Sequence, residues 1–417
     1  MKYSSRLRSS LIQELVDILA RLNPVEIVTP ANVADAKENW IRDVNERRFF
    51  RNPTFVYDEQ KLVKISNYYS RLIEIKYHLR HNVLPESALD QAIFDIIMIR
   101  IKQGILATEL AASIRLEDDI RTSAISQRIY GDPSTIQIIK CYDVINGNTF
   151  PFEGISPSSS FSENEQKQLK SQKFNAAAIE KWFTAALDYY DIPNWNIEIG
   201  EQFSAIDVRT KNSSGQPTIA IPAKRTVNGL KLLELIGHEI ESHLRSVENA
   251  RSLFLEHVGS SSPLAPLALI FAKSDDELLD EGQAKLSDVR INGLEAIPTV
   301  FYSIAIDQAR RGHSFSDVAE TIFGLCVDKA GDSHTTAASR SWTYTYRIFR
   351  GATDTSATKG YYFPKDYVYL AGYNTAKIVN PTYLEFASVG LSELDAFFAT
   401  VDIDAIKSKY PNRDAVQ

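Results

Sequence analysis

Apolar residues recur every three or four positions through most of the first 130 residues. "SSLIQELVDILARL", "KLVKISNYYSRLIEIKYHLR" and "ALDQAIFDIIMIRIKQGILATELAASIR" carry this period, and Gly and Pro are scarce in them, so they predict helices. "FRNPTFVYDE" is a Pro-containing connection, and "SQRIYGDPS" ends the region on a turn signal. Residues 145–172, "INGNTFPFEGISPSSSFSENEQKQLKSQ", are rich in Ser, Asn, Gly and Pro and read as a linker or flexible loop. A helix is expected from about Asn175 to Tyr190. The period then falls to two. "NWNIEIGE", "AIDVRTKN" and "TIAIPAKR" alternate apolar and polar residues and read as short strands, with "NSSGQP" as a hairpin-type loop. "NGLKLLELIGHEIESHLRSVENA" returns to the helical period, as do residues 276–311 and 314–330. Residues 341–374 are aromatic-rich and read as irregular. The pattern predicts an α+β chain, mostly helical, with a small sheet before the helix that carries His238. Its expected organisation is an N-terminal helical region (1–145), a linker (146–174) and a C-terminal domain (175–417).

Charge and cysteine content narrow the function classes. A net charge of −7 argues against a nucleic-acid binder. Cys141 and Cys326 form no C-x-x-C pair, which excludes a disulfide framework and a cysteine zinc site. They read as two buried thiols in a reducing compartment. The N-terminal stretch is amphipathic rather than a continuous apolar run, so it is not a signal peptide. No run of eighteen apolar residues exists, so no membrane partner is expected. Cytoplasmic residence is the default expectation; the sequence leaves the oligomeric state open.

The chemistry concentrates in "LLELIGHEIESHLRS". It holds His238, Glu239 and His243, with the histidines five apart rather than the four of an H-E-x-x-H zinc helix. On a regular helix each residue turns about 100°, so residues five apart lie about 140° apart around the axis and cannot share an ion. One widened π-turn would absorb the extra residue. The segment is therefore either a metal site on a distorted helix or a regular helix with two unrelated histidines. A third ligand is available in "DDELLDEGQAKLSD", where Asp276, Glu277, Asp280 and Glu281 crowd together. Glu281 precedes Gly282 in a pattern that is otherwise core-like, so its carboxylate would point inward and need a partner.

Several stretches carry a resemblance. "GHEIESHLRSVEN" looks like an H-E-x-x-x-H helix with a downstream Arg and Asn. "LDEGQAKLSD" is similar to a Q-E-G-L-A motif, with Asp280 for Gln and Gln283 for Leu. "FRGATDTSATKGYYFPKDYVYLAGY" is close to an R-G-x-x-D-T-S…G-x-F-x-K-D-x-V-Y-L-x-G block, and "NPTFVY" and "RIYGDP" fit the N-terminal region of the same family. Over about residues 20–400 the chain resembles the QEGLA-motif proteins, which include the microtubule-associated tyrosine carboxypeptidases. The resemblance implies a gluzincin-like metallopeptidase core. It implies one Zn2+ held by His238, His243 and Glu281, with Glu239 as general base.

A carboxypeptidase needs a cation for the substrate's terminal carboxylate, and Arg suits it because its fork pairs with both oxygens. Arg350 is the first candidate, because Gly351 lets the backbone approach closely; Arg347 and Lys365 follow. Tyr369 is a candidate donor to the oxyanion. His257, His313 and His334 have no partner at ligand spacing. The leading expectation is a zinc carboxypeptidase whose partner is a peptide or protein C-terminus. The alternatives are an endopeptidase on the same chemistry and a regulatory protein with a structural metal.

Overall fold

The helical period of the N-terminal third becomes a layer of helices in the structure. This is a computed structural model that describes every residue except 5–6, 48–49, 148–160, 193, 204–205, 210–216, 274–276, 293–296, 357–359, 402, 404–405, 407–408 and 410–417. At its centre is α1 (Ala88–Arg115), capped by the Ser87 side chain, which accepts from the Asp90 amide at 3.0 Å. Ile93, Ile97, Ile101, Leu110 and Ile114 bury its length. The N-terminal region does not keep a core to itself. Its Ile12, Leu72 and Ile101 belong to the same apolar cluster as Ile219, Ile240 and Phe397. Buried Arg100 on α1 also donates to Glu393 at 2.9 Å.

Residues 148–160 of the segment read as a linker lie outside the described residues, as does the expected loop at 212–216. The rest of the linker is ordered. Glu163–Ser171 is a helix with a capping box between Ser162 and Glu165, a signal the Ser-rich composition conceals. The helix expected near Asn175 runs Ala176–Tyr189, with Asn175 as its N-cap. The three strands form one sheet. β1 (Asn196–Gly200) pairs in parallel with β3 (Thr218–Pro222), and β2 (Asp207–Arg209) pairs antiparallel on the other side of β3. Central β3 buries Ile219, Ala220 and Ile221 completely.

The chain then enters α2, residues 229–258. It is α-helical over Gly229–Leu235, a π-helix over Ile236–Leu244, and α-helical again over Arg245–Val258. The widened turn expected between residues 238 and 243 is present. Two local features accompany it. Ser242 Oγ donates to the Gly237 carbonyl at 2.8 Å, following the five-residue spacing of the π-turn. Gly237 lets the next helix pass closely, since a Cβ there would lie 2.2 Å from Ser287 Oγ.

That next helix is α3 (Leu278–Asn292), and it packs against α5 (Val368–Ala376). The crossing is glycine on glycine: a Cβ on Gly282 would lie 2.2 Å from Gly372 O, and one on Gly372 2.0 Å from Leu278 O. Between them in sequence is α4 (His334–Phe349). It overturns the irregular reading of residues 341–349. Ala338, Ser341, Trp342, Thr345, Ile348 and Phe349 are buried at helical spacing. The aromatic residues build a second core with Trp40, Phe55, Phe301, Phe315 and Tyr373.

Candidate metal centre

The π-turn brings His238 and His243 onto one face of α2. Hydrogen bonds that run five residues back stack residues five apart, and the two imidazole centroids lie 4.9 Å apart. Opposite them α3 presents Glu281. Its Oε2 lies 4.0 Å from His238 Nε2 and 3.9 Å from His243 Nε2. One ligand atom from each of the three side chains falls within 4.8 Å of the others. Zinc bonds of about 2.0–2.1 Å place tetrahedral ligand atoms about 3.4 Å apart, so side-chain shifts of about an ångström would close this set on one ion.

The other nitrogen of each ring is also held. His238 Nδ1 donates to Asp288 Oδ1 at 3.1 Å, and Asp288 in turn accepts from Lys285 at 2.9 Å. His243 Nδ1 lies 2.9 Å from Asp280 Oδ2, and Ser246 Oγ donates to the other oxygen of Asp280 at 3.3 Å. A carboxylate on Nδ1 fixes the tautomer that leaves Nε2 as the ligand atom and makes it a better donor. Asp280 stands where the Q-E-G-L-A motif has Gln, so the departure supplies a charged partner to His243.

The donor set and its charge suit a divalent cation. The carboxylates of Asp288, Asp280, Glu281 and Glu239 stand closest in effect to the two rings and pull protons onto them. Burial alone would lower the pKa of His238, but the Asp288 carboxylate and then Glu239 raise it. The same competition at His243, with Asp280 and then Glu281 and Glu239 overcoming burial, carries it to about 10. Burial opposes ionisation of Glu281, yet Lys365 and the two imidazoliums lower its pKa to about 2. Two imidazoles and a carboxylate are a donor set that zinc takes.

All eight side chains singled out from the sequence line one cleft of about 850 Å³. Their environments differ. Arg350, the first candidate for a carboxylate receptor, is buried, with its side chain 6% exposed, and donates to Asp366 at 3.0 Å. Gly351 does not serve the site. It adopts φ +87°, and a Cβ there would lie 2.6 Å from Tyr361 OH, so the glycine serves a turn against the core. Arg347 is more open, 27% exposed, and reaches the other oxygen of Asp366 at 2.5 Å. It lies over the rings of Tyr302 and Tyr369, and donates to their hydroxyls at 3.0 and 3.1 Å. Lys365 is buried between Glu277 and Glu281.

Sequence reasoning gave no role to Asp288, Tyr302 or the far wall of the cleft. Asp288 follows Glu281 by seven residues, two helical turns, so its position on the same face was readable. Tyr302 carried no signal. The far wall comes from the N-terminal region and includes Val25, Ile27, Thr29, Pro30 and Tyr57. Tyr57 OH tethers it by accepting from the Gly351 amide and donating to Ala352 O, both at 2.9 Å. Asp276 lies outside the described residues. His257 finds a partner remote in sequence, Asp90, at 2.6 Å. Among the described residues no helix is long and apolar enough to cross a membrane. Compared with protein-family models, with curated proteins and with solved structures, the chain matches none.

Proposed function

We propose that the protein is a zinc-dependent metallopeptidase acting as a carboxypeptidase on a peptide or protein C-terminus. The observation that carries the reading is the convergence of His238 Nε2, His243 Nε2 and Glu281 Oε2 from a π-turn and a facing helix, with both Nδ1 atoms on carboxylates. The resemblance to the QEGLA-motif proteins supports the same ligand set.

His238, His243 and Glu281 would hold the metal, which when bound lowers the pKa of a water toward 7 and polarises the scissile carbonyl. Glu239 follows His238 directly and lines the same cleft. Its carboxylate takes a proton from the attacking water and passes it to the leaving amine. Tyr369 accepts from Arg347 at its oxygen, so its own hydrogen is directed to another acceptor, the carbonyl oxygen as charge develops there.

The exopeptidase part rests on the arginine pair. Arg347 and Arg350 share a single buried carboxylate, Asp366. Two guanidinium groups against one carboxylate leave a positive charge at the cleft wall, and Arg347 is the more exposed of the two. A substrate carboxylate buried beside it gains a charge-assisted pair and avoids the several kcal/mol that an unpaired buried charge costs.

The test is metal content together with cleavage of matched peptides. Protein purified without added zinc is expected to hold one equivalent, and His243→Ala to lose it. Wild-type protein is expected to release the C-terminal residue of peptide acids and to act poorly on C-terminal amides. Glu239→Gln is expected to abolish cleavage while the zinc stays. Full zinc in His243→Ala would refute the ligand set, and equal cleavage of acid and amide would replace the carboxypeptidase by an endopeptidase.

A further inference from the structure

One lysine of the cleft is held differently from Arg347 and Arg350. Lys365 is buried, with Nζ 2.7 Å from Glu277 Oε2 and 3.2 Å from Glu281 Oε1. The two glutamates are four residues apart at the start of α3, so one ammonium group bridges a helical turn. Glu281 therefore divides its oxygens. Oε1 is on Lys365, while Oε2 faces both imidazoles at 4.0 and 3.9 Å. Glu277 reaches this bridge from a strained backbone, φ +49°. That left-handed conformation disfavours a residue with a Cβ, and it persists where the surroundings over-determine it.

We propose that Lys365 is a positioning residue for the metal ligand Glu281, not the receptor of the substrate's carboxylate. The inference rests on the metal reading of the site. A carboxylate with both oxygens available binds a cation through one or both. Pinned at Oε1 by Lys365, Glu281 offers Oε2 alone. One oxygen rather than two leaves an open position on the metal, which a catalytic zinc site requires for water and substrate. Glu277 holds the lysine at 2.7 Å, and the Tyr369 ring covers it at 5.4 Å.

The test is the visible absorption of the protein loaded with Co2+ in place of zinc, because the intensity of the cobalt bands falls as coordination number rises. Lys365→Met frees Oε1, and the bands are expected to weaken several-fold. The single variant leaves two carboxylates without their cation, which endangers folding. Lys365→Met combined with Glu277→Gln removes one charge of each sign and is read beside it. KM for peptide acids is measured on the zinc forms of the same variants. A weakened spectrum in either folded variant supports the pin. Spectra that superimpose on wild type together with a raised KM would return Lys365 to the receptor role and overturn the proposal. Superimposable spectra with an unchanged KM would overturn it too, leaving the lysine a packing role only. Failure of wild-type protein to take up cobalt would refute the metal reading itself, and this inference with it, before any variant is compared.

Discussion

Replacing Gly282 by Ala tests the architecture that carries Glu281. The substitution adds one methyl group in the interior of α3. In a helix free to accept it, Ala is better than Gly by about 1 kcal/mol, so the local expectation is stabilisation. The packing expectation is opposite. The new Cβ would stand 2.2 Å from Gly372 O and 2.3 Å from its carbonyl carbon, both backbone atoms of α5 that cannot rotate away. Heavy atoms in contact sit about 3.5 Å apart, so α3 and α5 must separate by roughly 1 Å. Overpacking of this kind costs about 1–3 kcal/mol, which matches or exceeds the propensity gain. The ligand geometry is less tolerant. Glu281 Oε2 already stands 3.9 and 4.0 Å from the imidazole nitrogens, and one zinc with bonds of about 2.0–2.1 Å spans at most about 4.1 Å between two ligand atoms. A shift of α3 by about an ångström in either direction changes these spacings by more than the bond lengths tolerate. The assay is zinc stoichiometry by metal analysis, with the urea midpoint of the metal-free protein measured in parallel. Gly282→Ala is expected to lower both, and Gly372→Ala, whose Cβ would meet Leu278 O at 2.0 Å, to do the same. A Gly282→Ala protein at least as stable as wild type, with a full equivalent of zinc, would show that the crossing does not set the position of the ligand.

Three further outcomes are expected. Zinc affinity should rise with pH between about 6.5 and 10, by up to tenfold per unit, because a proton on His243, whose pKa is raised from 6.5 to about 10, must be displaced; chelator competition at pH 7, 8 and 9 measures it, and a flat profile contradicts the proton count. The metal-free protein should behave in the opposite sense: a folded-state pKa above the unfolded one contributes stability that is complete below about 6.5 and is lost as pH rises through about 10, so its melting temperature should fall across that window, and His243→Gln should flatten the fall. Arg347→Ala should reduce kcat/KM for peptide acids about 30- to 1000-fold, the equivalent of about 2–4 kcal/mol, while sparing thermal stability more than Arg350→Ala does; the reverse order in the two assays would return the receptor role to Arg350.

The sequence by itself determined most of the local elements and named the three residues of the candidate metal cluster. The five-residue spacing of His238 and His243 leaves a regular helix unable to serve one ion, so a shared ion demands a π-turn before any fold is known, and the structure has one. Alternation in the segments that became β1, β2 and β3 marks the sheet in the same local way. The irregular reading of residues 341–349 failed because Ser, Thr and Tyr have modest helix propensity, and the packing of Trp342, Ile348 and Phe349 into the second core overrides it. Tertiary structure alone decided how the cations divide. Arg347, Arg350 and Lys365 are equivalent as letters, but each function depends on which carboxylate stands opposite. Asp366 takes both arginines, Glu277 and Glu281 take the lysine, which sits just before α5, and Gly282 and Gly372 let the backbones of α3 and α5 touch. Those partners lie up to 88 residues away, from Glu277 to Lys365. Pairing across that distance is set by how helices pack, which no local period along the chain records.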